Sequence, residues 1–73
     1  MKVYYRFQND QPRPGDQVHC FTTLKALKDC ARMMQAQDPD FRRMKFWEIT
    51  GSFVQADDGD AIVRVSSAKE IRL

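Results

Sequence analysis

Residues 2–7 alternate, with Val3, Tyr5 and Phe7 on one side and Lys2, Tyr4 and Arg6 on the other. That period in β-favouring residue types predicts a first strand. Gln8 to Gln17 breaks the pattern, since two prolines, a glycine, an asparagine and two aspartates in ten residues suit no regular element. This is the longest expected loop. Val18 to Phe21 is a short apolar piece ending at Thr22-Thr23, where a hydroxyl is placed to cap the next helix. From Leu24 to about Gln37, Leu24, Leu27, Ala31 and Met34 recur at i, i+3, i+7 and i+10 with Cys30 beside them, which predicts an amphipathic helix. Lys25, Lys28 and Arg32 form a basic stripe on its other side. Asp38-Pro39-Asp40 ends it, because the residue before a proline is driven out of the α region.

Alternation returns at Met44 to Thr50, with Met44, Phe46 and Glu48 set against Lys45, Trp47 and Ile49. Gly51 reads as a turn into a partner strand, Ser52 to Ala56, giving a hairpin. Asp57-Asp58-Gly59-Asp60 is a second turn signal, and Ala61 to Val65 is the strongest β run in the chain. In the tail, Ser67 and Glu70 have capping-box spacing, while Ile71 and Leu73 alternate as in a strand; we take the strand. The resulting order, β-loop-β-α-β-β-β-β, is an α+β fold: a small antiparallel sheet with one helix packed on one face, and no internal repeat.

The length of 73 residues sets the scale. It suits a single domain over 1–73 that buries roughly 60% of its unfolded surface, and it leaves no room for a two-domain enzyme. Twelve Lys and Arg against ten Asp and Glu leave a net +2, far below the basicity of a dedicated nucleic-acid binder. The distribution is more telling: residues 1–46 carry nine basic and five acidic side chains (+4), and 47–73 three basic and five acidic (−2). Two cysteines, Cys20 and Cys30, are too few for a disulfide-stapled secreted domain, which points to a reducing cytoplasm. Nothing at the start reads as a signal peptide, and no window approaches a membrane span.

Candidate chemistry is sparse. His19, Cys20 and Cys30 fall short of the four ligands of a structural zinc site and lack its paired spacing, so no metal is expected. His19 is the one histidine available as a base for Cys20. On a strand, adjacent side chains face opposite ways, so it cannot reach that thiol. Lys25, Lys28, Arg32, Arg42, Arg43 and Lys45 could form one continuous patch, because the helix stripe leads into the loop carrying the arginine pair. Such a patch grips phosphate or acidic side chains; the plainer account is that a helix needs a solvated face. Trp47 is assigned to the core or to an interface, where tryptophan is enriched.

Tyr5-Arg6 on the first strand, Cys20-Phe21-Thr22-Thr23-Leu24 leading into the helix, Trp47-Glu48-Ile49 with Gly51, and Ile62-Val63-Arg64-Val65 with Glu70-Ile71 together resemble a shrunken ADP-ribosyltransferase-type domain. The resemblance spans most of the chain. It implies that Arg6 would hold a nicotinamide dinucleotide (NAD), that Thr22 and Thr23 would shape the pocket, and that Glu70 would act on the ribose. The chain departs from that pattern in two places. A Pro/Gly loop stands where the family has a helix, and the paired acidic motif shrinks to Lys69-Glu70.

Two functions follow as expectations. In the first, the protein is a small binding or inhibitory module that occupies a larger protein through its basic helix face, with Lys25, Lys28, Arg32, Arg42 and Arg43 as contacts and no cofactor. Small stand-alone proteins of phages and mobile elements, anti-CRISPR inhibitors among them, share this size and this lack of catalytic motifs. Nucleic acid is the less favoured partner and no membrane is expected. In the second, it is a minimal NAD-binding transferase using Arg6, Thr22, Thr23 and Glu70. We favour binding, because so short a chain has few residues to build a water-excluding wall around an active site.

Overall fold

The computed structural model describes residues 2–57 and 60–73, and at Asp57 the backbone only. In chain order the elements are β1 (Lys2–Phe7), β2 (Gln17–Cys20), α1 (Leu24–Gln37), a 3₁₀ turn (Pro39–Arg43), β3 (Phe46–Asp57) and β4 (Asp60–Ile71). The strands form one antiparallel sheet in the order β1-β3-β4-β2. The α+β architecture of a small antiparallel sheet with one helix packed against it is the one expected.

The helix boundaries follow local chemistry. Thr23 is extended, and its hydroxyl oxygen accepts the Ala26 N–H at 3.1 Å, satisfying one of the free donors of the first turn. At the other end Asp38, ahead of Pro39, is held at φ −135°, ψ 108°, and the helix stops. The Asp38 carboxylate then accepts the Asp40 N–H at 2.9 Å and starts the 3₁₀ turn, which the sequence pattern does not announce. Leu27 and Ala31 are buried as their spacing requires, whereas Leu24, at the helix's first position, stays 36% exposed.

The sequence pattern predicts six strands and four are found among the described residues, because β3 and β4 each run through a position read as a break. Gly51 is not a turn. It lies inside β3 at a shift of register, opposite Val65, and a Cβ built there would sit 2.2 Å from the Arg64 carbonyl oxygen and 2.8 Å from a Val63 methyl. Glycine is required by close approach of backbone, a use that sequence alone cannot separate from a turn. Of the second turn signal, Asp58 and Gly59 lie outside the described residues; Asp57 and Asp60 on either side pair across β3 and β4. The tail strand, Ile71 included, is the end of β4 rather than an element of its own.

A second register shift, between Phe53 and Gln55, bends the β3–β4 ribbon further. The sheet curls until its two outer strands meet: Tyr5 and Phe21 exchange backbone hydrogen bonds of 2.9 and 2.7 Å. All four strands feed the core on the inner face, formed by Tyr4, Cys20, Trp47, Ile49, Ala61, Val63 and Val65. The outer face meets α1 in a second core, where Leu27 and Ala31 pack with Phe41, Phe46, Tyr5, Phe7, Phe21 and Ile71. Phe7 sits at its centre, with ring centroids 5.0 Å from Phe41, 6.0 Å from Phe21 and 6.5 Å from Phe46. Phe46 and Trp47 thus serve opposite faces, as alternation requires.

The Pro/Gly loop is a structural part of the inner core. The Trp47 indole N–H donates to the Gln8 carbonyl at 2.9 Å, Pro12 is buried, and Gln11 donates to the Ala68 carbonyl at 3.3 Å. Arg13 to Asp16 makes a turn with Pro14 and Gly15 at its centre; Gly15 has φ +92°, the left-handed conformation that favours glycine. Two hydrogen bonds of 2.8 Å, from Gly15 to Val65 and from Val65 to Asp16, fasten this turn to β4.

Gly51→Ala should therefore destabilise the fold by about 1–3 kcal/mol in chemical denaturation, the cost of forcing atoms into a filled site. A change within about 0.5 kcal/mol, usual for a surface position, would contradict the close approach.

Candidate binding surface

Helical spacing places Lys28, Arg32 and Gln35 four and three residues apart, so they stack along one line of α1. The 3₁₀ turn is anchored by buried Phe41, leaving Arg42 and Arg43 exposed, and the Met44 N–H closes the turn on the Phe41 carbonyl at 2.9 Å. Phe46 and Ile71, paired across β3 and β4, belong to the core under the helix. As a result Arg72 and Leu73 emerge beside α1.

This arrangement leaves two open clefts. One, of about 280 Å³, is lined by Lys28, Ala31, Arg32, Gln35 and Leu73. The other, of about 430 Å³, adjoins it through the shared Gln35 and Leu73 and carries Arg42, Arg43, Lys45, Glu70 and Arg72 on a floor that includes Phe46 and Ile71. Lys28 and Arg32 thus line one cleft and Arg42 and Arg43 the other. Lys25 is exposed on α1 but lines neither cleft. Arg72 and Leu73 carry no signal in the sequence, since finding them requires knowing that the end of β4 lies against α1. Six cationic side chains against one acidic side chain, Glu70, make this surface positive. Among the described residues none of the six is in an ion pair.

The residues of the transferase resemblance are arranged differently. The register sets Arg6 opposite Trp47 and Trp47 opposite Glu70, so the three form one row across β1, β3 and β4. Arg6 is engaged in the sheet itself: it donates to the His19 carbonyl at 2.7 Å and, through Nε, to the Gln8 side chain at 2.6 Å. Buried Trp47 fills the middle of the row and Glu70 is exposed at its end. Thr23 caps α1, and Thr22 precedes it on the surface.

Arg6, His19, Cys20 and Asp60 also border a small cavity of about 180 Å³ where β1 meets β2. His19 is exposed and Cys20 buried, on opposite faces of β2. Burial pushes the Cys20 thiol up to about 11, with the Arg6 guanidinium pulling against the rise and the Asp60 carboxylate adding to it. At neutral pH it is the thiol, not the nucleophilic thiolate. Among the described residues no group of three or more His, Cys, Asp and Glu side chains could hold a metal ion, and no helix is long and apolar enough to cross a membrane. No protein-family model, curated protein or solved structure matches the chain.

The Cys20 shift has a consequence for stability. The folded state holds this proton more tightly than the unfolded chain, whose thiol titrates near 9.0. The associated stabilisation is complete below that value and is lost as pH rises through about 11. Over this interval the wild type should lose on the order of 2 kcal/mol more than Cys20→Ala, measured by urea denaturation at each pH. Parallel losses in the two proteins would show that the thiol is not held neutral.

Proposed function

We propose that this protein is a binding module that occupies a larger, acidic protein through the cleft between α1, the 3₁₀ turn and the end of β4. Lys28, Arg32, Arg42 and Arg43 supply the contacts, extended by Lys45 and Arg72. The observation that carries this reading is that the two clefts share Gln35 and Leu73, which sets cations from three elements around adjoining hollows. Exposed cations scattered for solubility need no shared hollow and no apolar floor. Here Leu73, 49% exposed, gives a docked segment apolar area besides charge, next to partly buried Ile71. A net charge of only +2, with the negative balance in the second half of the chain, suits a defined acidic surface better than a long phosphate backbone. An inhibitory role, such as that of the small blocking proteins of phages, would follow if the occupied surface is one the partner uses.

Captured from its own cell, the partner should bind the Lys28→Glu/Arg32→Glu protein at least tenfold more weakly than wild type, about 1.4 kcal/mol, in a calorimetric titration. The same variant should keep its circular dichroism spectrum and melting temperature, because both changes lie on the polar side of α1. Raising salt from about 0.1 M to about 1 M should weaken the wild-type complex as the screening length falls from about 10 Å to about 3 Å. Unchanged affinity in the folded variant would reduce the cleft to a solvated surface.

The transferase reading draws its support from the row of Arg6, Trp47 and Glu70. It has less than the cleft, since the guanidinium already serves the sheet and the indole occupies the space between the two charged groups. NAD at a hundredfold excess over its dissociation constant would stabilise a binding protein by about 2.7 kcal/mol. We expect no rise in melting temperature, and a rise abolished by Glu70→Gln would put the transferase first.

A further inference from the structure

Among the described residues β1 pairs with β3 from Phe46 to Gly51, with Lys2 opposite Gly51. Beyond Gly51, Ser52, Phe53, Gln55 and Ala56 pair with β4 while Val54 is the extra residue of a bulge, and all five are exposed. This free length is close to that of an average strand. It carries Phe53, 56% exposed, and Val54, 42% exposed, with Val3 of β1 also 40% exposed. Beside it an open hollow is lined by Lys2, Tyr4, Gly51, Ser52 and Phe53.

We propose that a second copy of this chain covers that edge, the two β3 strands pairing antiparallel about a twofold axis near Val54. An open edge offers a row of backbone donors and acceptors, and proteins blunt such edges with charge, proline or a bulge. Only the bulge, between Phe53 and Gln55, is present here. From Ile49 to Ala56 there is no charged side chain, in a chain that is 30% charged. Self-pairing therefore sets no like charges against one another, whereas a partner of opposite charge would find nothing on this edge to select it. An antiparallel edge is complementary to itself, which an isologous pair requires. Val54 is the extra residue of the bulge, between Phe53 opposite Val63 and Gln55 opposite Ile62, and the joined sheet gains two exposed apolar side chains, Phe53 and Val54, from each copy. The electrostatics agree. The cations gather at the Phe46 and Ile71 end of β3 and β4, and pairing about Val54 sends the two positive ends to opposite extremes of the joined sheet. Both clefts stay open, and a dimer presents two of them.

Sedimentation equilibrium from about 5 μM to about 500 μM, which spans the affinities of small interfaces, reads the proposal directly. The mass should rise from 8.6 kDa towards twice that value. It should still rise in about 1 M salt, because the paired residues 52–56 carry no charged side chain. Val54→Lys and Ser52→Lys, each at an exposed position, should hold the mass at one chain with an unchanged circular dichroism spectrum. Arg42→Glu/Arg43→Glu should still dimerise, which separates this contact from the cleft. A single-chain mass at every wild-type concentration would overturn the proposal. So would doubling that survives in both lysine variants, or doubling lost only with the arginine pair.

Discussion

Two backbone hydrogen bonds between Tyr5 and Phe21 join strands at opposite ends of the sheet order, and the rest of the structure depends on that closure. A flat four-stranded sheet could not make them. They require the β3–β4 ribbon to bend, which it does at two shifts of register, one at Gly51 where no side chain fits. Once the sheet is curled, Tyr4, Trp47, Ile49 and Val63 converge and shed water together, although no single strand has enough apolar surface to do so. Arg6 reinforces the seam by donating to the His19 carbonyl across it.

Closure also disposes of the outer face. With Phe21 drawn up to Tyr5, the chain enters α1 directly above Phe7 and Phe46, and Leu27 and Ala31 complete that aromatic layer. The 3₁₀ turn then has one place for Phe41, edge-on to Phe7. Fixing Phe41 also fixes the two arginines next to it in the chain, so Arg42 and Arg43 face solvent beside the last turns of the helix. The backbone that carries the cationic cleft is thus placed by packing in the apolar layer.

A polarised surface of this kind acts mainly on encounter, steering an oppositely charged partner and excluding a like-charged one, while a modest apolar floor slows release. The proposed pairing at the uncharged edge of β3 rests on a different physics, backbone hydrogen bonding and apolar contact, which salt does not screen. The two surfaces lie at opposite ends of β3, so the two proposed contacts do not compete for space.

The chain's own sequence determined the features that depend on neighbours within a few residues. The strand at Lys2–Phe7, the span of α1, its cap at Thr23 and its stop before Pro39 are all readable, because each rests on side-chain period or on local backbone chemistry. The basic character of Lys28, Arg32, Arg42 and Arg43 is readable too. Tertiary structure decided the remainder. Gly51 looks like a turn until the Arg64 carbonyl is placed against it, and the loop from Gln8 to Asp16 looks like mere connection until the Trp47 indole is seen to donate to it. Arg72 and Leu73 join the cleft only because β4 ends beside a helix more than thirty residues earlier in the chain. Arg6, which the resemblance makes a ligand for a dinucleotide, serves in this fold as a clasp between strands. These are contacts between residues far apart in sequence, and period and propensity carry no information about which distant backbone will come within reach.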